Sequence, residues 1–364
     1  MAFAFEKTSI ADVELSSRFI RSATWEGLCG ENGSVQEDLI RLMTQLADNE
    51  VGLIITGHCY VSPEGKAAPR QMGAFSDDLV PGMKRMADQV HEAGGKIFLQ
   101  AAHAGGTAAF SLTGIEPVAP SSVEYKKGTP CREMSLEDVE RIREDFTAAA
   151  SRAKSAGFDG VQIHAAHGYL LSQFLTPALN RRKDQYGGGV ENRARFLLEI
   201  IRSVKKELGE AFPVTVKINS QDYMESGFTV EDMITVCSLL EKEGIEALEM
   251  SGGHPMGTYH PVRKAEIEKP EDEVFYRDAA VEFKSKLNIP LAIVGGVRSL
   301  DAAQTLLQNK TADFVSLSRP LICEPDLVAR WKAGNTAHSR CISCNKCFRP
   351  IFRGKGFYCP EFNK

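Results

Sequence analysis

The sequence has no excess of basic charge, no long apolar run and no glycine fingerprint for a dinucleotide. Lys and Arg number 43 against 48 Asp and Glu, a formal charge of −5, so a nucleic-acid partner is not expected. Nothing approaches the ~18 consecutive apolar residues of a membrane-spanning helix, so no membrane association is expected either. Residues 1–10 carry Glu6 and Lys7 and no apolar core, which argues against a secretory signal and for a cytoplasmic protein. Gly27, Gly30 and Gly33, after the first expected strand, fall three apart and make no G-x-G-x-x-G, which argues against an open doubly wound sheet. Internal repeats and low-complexity linkers are also missing.

What is present begins with an ordinary globular composition, 43% hydrophobic and 25% charged. Eight short, nearly continuous apolar runs recur at residues 18–22, 51–56, 96–100, 160–164, 213–218, 247–250, 290–294 and 313–317. Such runs suit parallel strands covered on both faces. Amphipathic stretches separate them. Leu39, Leu42, Met43 and Leu46 make a helical stripe, Ser135 with Asp138 and Thr229 with Asp232 read as N-caps, and Gly94, Gly157 and Gly244 read as helix terminators. Eight strand–helix units predict an α/β fold, a (β/α)8 TIM barrel over residues 1–335, with a Cys-containing extension at 336–364.

In such a barrel the chemistry sits at the C-terminal strand ends. Gly295, Gly296, Ser318 and Arg319 fall at the seventh and eighth, the usual phosphate position, where backbone N–H groups and a guanidinium can hold an anion. Gln100 can read a heterocycle edge through its amide or serve as a satisfied buried glutamine. Lys217 can stabilise negative charge on a ligand or pair with a carboxylate. His164, His167 and Tyr169 are the sharpest group: two imidazoles to hold a carbonyl oxygen and a phenol to supply a proton. A metal pair is the rival reading, but no carboxylate or third histidine stands at an obvious ligand spacing. The polar loop at residues 180–190 is expected to cover or border the site.

Of nine cysteines, five are scattered, and Cys341, Cys344, Cys347 and Cys359 crowd into the last 24 residues. The spacing C-x2-C-x2-C-x11-C suits an iron–sulfur cluster such as [4Fe-4S]. Tetrahedral zinc, or a site that binds nothing, fits the same spacing.

Together these strings resemble the old yellow enzyme family of FMN-dependent oxidoreductases over residues 3–335. The matching segments begin with Arg21-Ser22-Ala23-Thr24, Gln100-Ala-Ala-His103-Ala-Gly105 and His164-Ala-Ala-His167-Gly-Tyr169. They continue through Asn180-Arg181-Arg182, Asp-Gln-Tyr-Gly at 184–187 and Glu191-Asn192-Arg193-Ala-Arg195-Phe196. The resemblance implies a barrel that binds FMN at its strand ends and reduces activated alkenes with NAD(P)H. It implies flavin contacts from Ser22, Ala23, Thr24, Gly57, Gln100 and Lys217, and phosphate contacts from Gly295, Gly296, Ser318 and Arg319. Substrate contacts would come from Trp25, His164, His167 and Tyr169, with Tyr169 as proton donor. Amine dehydrogenation, or electron exchange with a partner flavoprotein, is the alternative activity, and a homo-oligomer is implied by resemblance alone. Departures are Gly106 where the family often has Arg, Lys217 in place of Arg, and Trp25. The terminal cysteines resemble those of the branch containing dienoyl-CoA reductase, 2-enoate reductase and trimethylamine dehydrogenase.

Overall fold

A computed structural model describes residues 3–125, 131–263, 267 and 269–362, so Met1, Ala2 and the last two residues of the extension lie outside it. The eight barrel strands are β1 (Phe19–Arg21), β2 (Leu53–Ile55), β3 (Ile97–Ala102), β4 (Gly160–Ala165), β5 (Val214–Asn219), β6 (Leu248–Ser251), β7 (Leu291–Val294) and β8 (Phe314–Leu317). Each pairs in parallel with the next, and β8 returns to β1 with Val315 opposite Phe19, so the sheet closes on itself. The predicted barrel is the observed one.

Seven helices follow the first seven strands: α1 (Glu37–Asp48), α2 (Val80–Glu92), α3 (Leu136–Ser155), α4 (Val190–Leu208), α5 (Val230–Lys242), α6 (Arg277–Lys286) and α7 (Leu300–Gln308). Their ends obey local chemistry. Ser135 and Asp138 form a reciprocal capping box at α3, and Thr229 accepts the Asp232 N–H at α5. Gly94, Gly157 and Gly244 follow α2, α3 and α5 at φ of +78°, +82° and +69°, the left-handed turn that side chains resist. In α1 the buried stripe is Leu39, Ile40, Met43, Leu46 and Ala47, leaving Leu42 at its margin.

Two features differ from expectation. β3 and β5 run one or two residues further than the apolar runs indicate, which places Gln100 and Lys217 inside the barrel instead of at its rim. The loop at 180–190 is also not part of the cavity wall. Asn180 donates to the carbonyls of Phe174 and Tyr186 at 2.8 and 2.7 Å, and Arg182 donates to those of Pro120 and Met134 at 3.2 and 2.6 Å. The segment buckles neighbouring loops together, because its polar side chains satisfy buried carbonyls.

The C-terminal extension is fastened to the barrel mouth. Glu324 accepts from Ser339 Oγ and the Arg340 N–H at 3.0 and 2.6 Å, and Arg298 donates to the Cys341 carbonyl at 3.0 Å. A short helix, Phe348–Phe352, lies beside Trp25, whose ring meets that of Phe352 edge-on at 5.9 Å. Gly27 is required there: it takes φ +63°, and a Cβ would stand 2.5 Å from Ile351 Cγ2.

Candidate active site

A cavity of about 340 Å³ opens at the C-terminal ends of the strands. Its wall includes Ser22, Ala23, Thr24, Trp25, His164, His167, Tyr169, Lys217, Gly295, Gly296, Ser318 and Arg319. Twelve of the expected small-molecule residues therefore share one space. Gly57 and Gln100 are not on its wall. The Gly57 N–H donates to Glu26 Oε1 at 3.2 Å, and a Cβ would collide with the Glu26 carboxylate and stand 2.8 Å from the Thr24 carbonyl. Gly57 thus permits close packing around the buried Arg21–Glu26 ion pair, 2.5 Å long.

Gln100 belongs to a buried polar chain beneath the cavity. Its Nε2 donates to Gln162 Oε1 at 2.6 Å, and Gln162 Nε2 donates to Glu249 Oε2 at 3.3 Å. Glu249 Oε2 also holds Lys217 Nζ at 3.0 Å, and Lys217 donates to Ser22 Oγ at 2.7 Å. Lys217 and Glu249 are register partners on β5 and β6, so adjacent strands deliver the two charges to the same level.

At the end of the seventh strand, Gly295 and Gly296 adopt φ of +136° and +85°. A Cβ on either would stand 2.7 Å from the ring of Tyr276 or Phe275, respectively. Only glycine leaves this backbone bare and in this conformation. Gly296→Ala is expected to cost about 1–3 kcal/mol of stability; denaturant unfolding checks it, and an alanine variant with wild-type stability rejects the strain. Arg319 Nη1 donates to the carbonyls of Arg263 and Ser343 at 2.8 and 3.2 Å and to Asn345 Oδ1 at 2.7 Å. Burial and the like charge of Arg298 hold the Arg319 pKa below its usual value, so an anion is electrostatically favoured here. Thr24 Oγ1 and Ser318 Oγ, 2.8 Å apart, tie the first strand's loop to the eighth's.

Two imidazoles and a phenol come together on another part of the wall. His164 and His167 meet edge-on at 5.3 Å, and Tyr169 stands 5.0 Å from His164. His167 Nε2 lies 2.8 Å from Ser251 Oγ. Its backbone takes φ +65°, unusual for a residue with a side chain, and Asn219 Oδ1 steadies it by accepting the His167 N–H at 3.2 Å. Burial holds both imidazole pKa values well below their usual range; His167 and then Lys217 add to this for His164, and Lys217 and His58 for His167. Both rings are therefore neutral near pH 7, and each offers one N–H.

The sequence places a third histidine at a strand end here but gives it no role. His58 lines the same wall, stacked 6.4 Å from His164 and edge-on to Tyr169 at 5.2 Å. Its position directly after Gly57, at the end of the second strand, was the available signal. Even so, among the described residues no group of three or more His, Cys, Asp or Glu is arranged to hold a metal ion. Phe348 of the extension, Ser251 and Tyr276 also line the cavity. Gly106 is walled in by the Tyr125 ring, so this chain has no room there for the family's common arginine. Cys341, Cys344, Cys347 and Cys359 converge, with Cys323, on a separate cavity of about 20 Å³ that also touches Arg319.

The chain matches the NADH:flavin oxidoreductase / NADH oxidase family over residues 4–337. It belongs to that family. It is 36% identical over 346 residues to an NADH oxidase from Thermoanaerobacter brockii, spanning 94% of this chain and 52% of that protein. It is also 36% identical over 325 residues to an NADPH dehydrogenase from Geobacillus sp. (strain WCH70), spanning 88% and 91%. Among solved structures, a 2-naphthoyl-CoA reductase in complex with 2-naphthoyl-CoA superposes with a TM-score of 0.90 at 26% identity, over 98% of this chain and 56% of that one. Morphinone reductase superposes with a TM-score of 0.77 at 27% identity, over 93% and 92%. The chain thus spans about half the length of the Thermoanaerobacter enzyme and of the naphthoyl-CoA reductase.

FMN is the cofactor of the family, and the residues present fit it. The cavity has the size of a ligand site, its glycine cradle would be filled by any Cβ, and two buried polar atoms on its wall, His164 Nδ1 and Ser316 Oγ, have no protein partner.

Proposed function

We propose that this chain reduces activated alkenes, enones or enoates, at the expense of NAD(P)H. When bound, FMN would supply the hydride chemistry that couples NAD(P)H oxidation to reduction of the alkene. Gly295, Gly296, Ser318 and Arg319 would hold its phosphate, Ser22, Ala23 and Thr24 would line its ring, and Lys217 would oppose charge developing there. Gln100 would read the ring's edge through the amide hydrogen or the Oε1 that its bond to Gln162 leaves uncommitted.

The observation that carries the proposal is the convergence of two neutral imidazoles and a phenol on one wall of this cavity. Neutral imidazole N–H groups orient a carbonyl oxygen without neutralising it, so charge developing on that oxygen is stabilised most as it forms. Burial pushes the Tyr169 pKa up, which keeps the phenol protonated until a strongly basic α-carbon arises. Trp25 would shape the substrate pocket. Steady-state turnover of an enone with NAD(P)H tests the reading. A protein that takes up no FMN, or that oxidises amines while leaving enones untouched, overturns it.

For the extension we propose that Cys341, Cys344, Cys347 and Cys359, which line one cavity without yet standing as a metal-holding group, draw together around a [4Fe-4S] cluster; their spacing supports the reading. An electron-transfer partner belongs to the same proposal. Anaerobic purification followed by metal and sulfide analysis is expected to find about four irons and four sulfides per chain; one zinc, or no metal, rejects it. Clustered thiols suit a reducing compartment, so we place the protein in the cytoplasm. A homo-oligomer is proposed on family resemblance alone.

A further inference from the structure

We infer that His58 and Gln71 are positioning residues that keep the Tyr169 hydroxyl hydrogen aimed into the cavity. The inference rests on the reading of Tyr169 as proton donor, and it follows from counting donors outward from the backbone.

Gln71 is buried, and its Oε1 accepts the N–H groups of Ala67 and Ala68 at 2.8 and 3.2 Å. The reversed amide would point its own hydrogens at two donors, so its orientation is settled by the backbone. Gln71 Nε2 then lies 2.7 Å from His58 Nδ1 and 2.9 Å from the His58 carbonyl. An amide NH2 only donates, so Nδ1 must present its lone pair. In a neutral ring the hydrogen is then on Nε2. That atom stands 3.2 Å from Tyr169 Oη.

Two hydrogens cannot occupy one bond. The His58 Nε2–H donates to the phenolic oxygen, and the phenol's own hydrogen is left for a partner in the cavity that Tyr169 lines. The opposite tautomer would make Tyr169 donate to His58, and its proton would be engaged before a substrate arrived. Burial, with a smaller contribution from Lys217, brings the His58 pKa down to about 4, which agrees with a neutral ring near pH 7. When the Tyr169 O–H bond breaks and the α-carbon gains the proton, the phenolate retains the His58 N–H as a donor and recovers its hydrogen from water. His58 therefore steadies the phenolate without itself passing a proton.

Long-range 1H–15N correlation of the FMN-loaded protein, with 15N-labelled histidine and the His58 signals assigned through their loss in His58→Gln, reports the tautomer directly. The Nε2–H form is expected near neutral pH; the Nδ1–H form or an imidazolium overturns the inference. Gln71→Leu supplies an independent reading. It is expected to slow enone reduction about 10-fold, the effect of one lost hydrogen bond, while flavin reduction by NAD(P)H is unchanged. In a Tyr169→Phe background the same change should have no further effect. An equal loss in both backgrounds also overturns the inference. If instead Tyr169→Phe alone leaves enone reduction intact while the Nε2–H tautomer is observed, the proton-donor reading fails and the tautomer assignment stands.

Discussion

Replacing Tyr169 by phenylalanine is expected to slow reduction of an enone by about 10²–10⁴-fold while leaving reduction of the flavin by NAD(P)H nearly unchanged. The size follows from removing a placed general acid, and the asymmetry follows because hydride transfer from NAD(P)H to the flavin needs no proton delivered to an α-carbon. Tyr169 belongs to the His58–His164–His167 wall, whereas Gly295, Gly296 and Arg319 lie at the seventh and eighth strand ends of the same cavity, so the change should leave those residues undisturbed. Phenylalanine keeps the ring that packs against His58 and His164, so the cavity should hold its shape. Stopped-flow measurement of the two half-reactions separates the steps. Equal slowing of both contradicts the assignment and points to damage to the flavin site. Replacing His164 and His167 together should act differently, weakening the binding of carbonyl-containing ligands because their oxygen loses both donors.

Why some of this was legible in the sequence, and some was not, has physical reasons. Local rules wrote the elements: a glycine at C′ of α2, α3 and α5 needs nothing from the rest of the chain to be recognised, and neither does the Ser135–Asp138 box. The barrel followed from eight such units because parallel strands covered on both faces leave few architectures. His164, His167 and Tyr169 were legible because one turn of chain carries all three. His58 and Gln71 were not, because their relation to Tyr169 spans more than ninety residues and is set by two loops meeting over the cavity. The loop at 180–190 misled because polar side chains that bind ligand and polar side chains that bind buried carbonyls look alike in sequence. Phe348 was assigned to a separate extension, and only its fold back onto Trp25's neighbourhood makes it part of the wall.

Lys217 and Glu249 were half legible, and they carry the second large effect. Each is the one charged residue in an otherwise apolar or polar-uncharged strand, Val214–Asn219 and Leu248–Ser251. Two such charges on neighbouring buried strands must meet or destabilise the core. They meet at 3.0 Å, with side chains 3% and 2% exposed. Lys217→Met leaves the Glu249 carboxylate buried with only the Gln162 amide, and is expected to cost about 3–5 kcal/mol. Adding Glu249→Gln removes the stranded charge and should recover most of that loss, because a buried pair contributes little beyond cancelling its own desolvation. Flavin affinity should not recover with it. The cation also faces the cavity, and neither Met nor Gln supplies a positive charge to oppose the ligand's. Denaturant unfolding without FMN measures the first effect and titration with FMN the second; the two must be kept apart, since bound ligand stabilises the fold by mass action. A single variant as stable as the parent would show that the carboxylate is not stranded. A double variant that binds FMN like the parent would confine Lys217 to the barrel's interior and remove it from the flavin site.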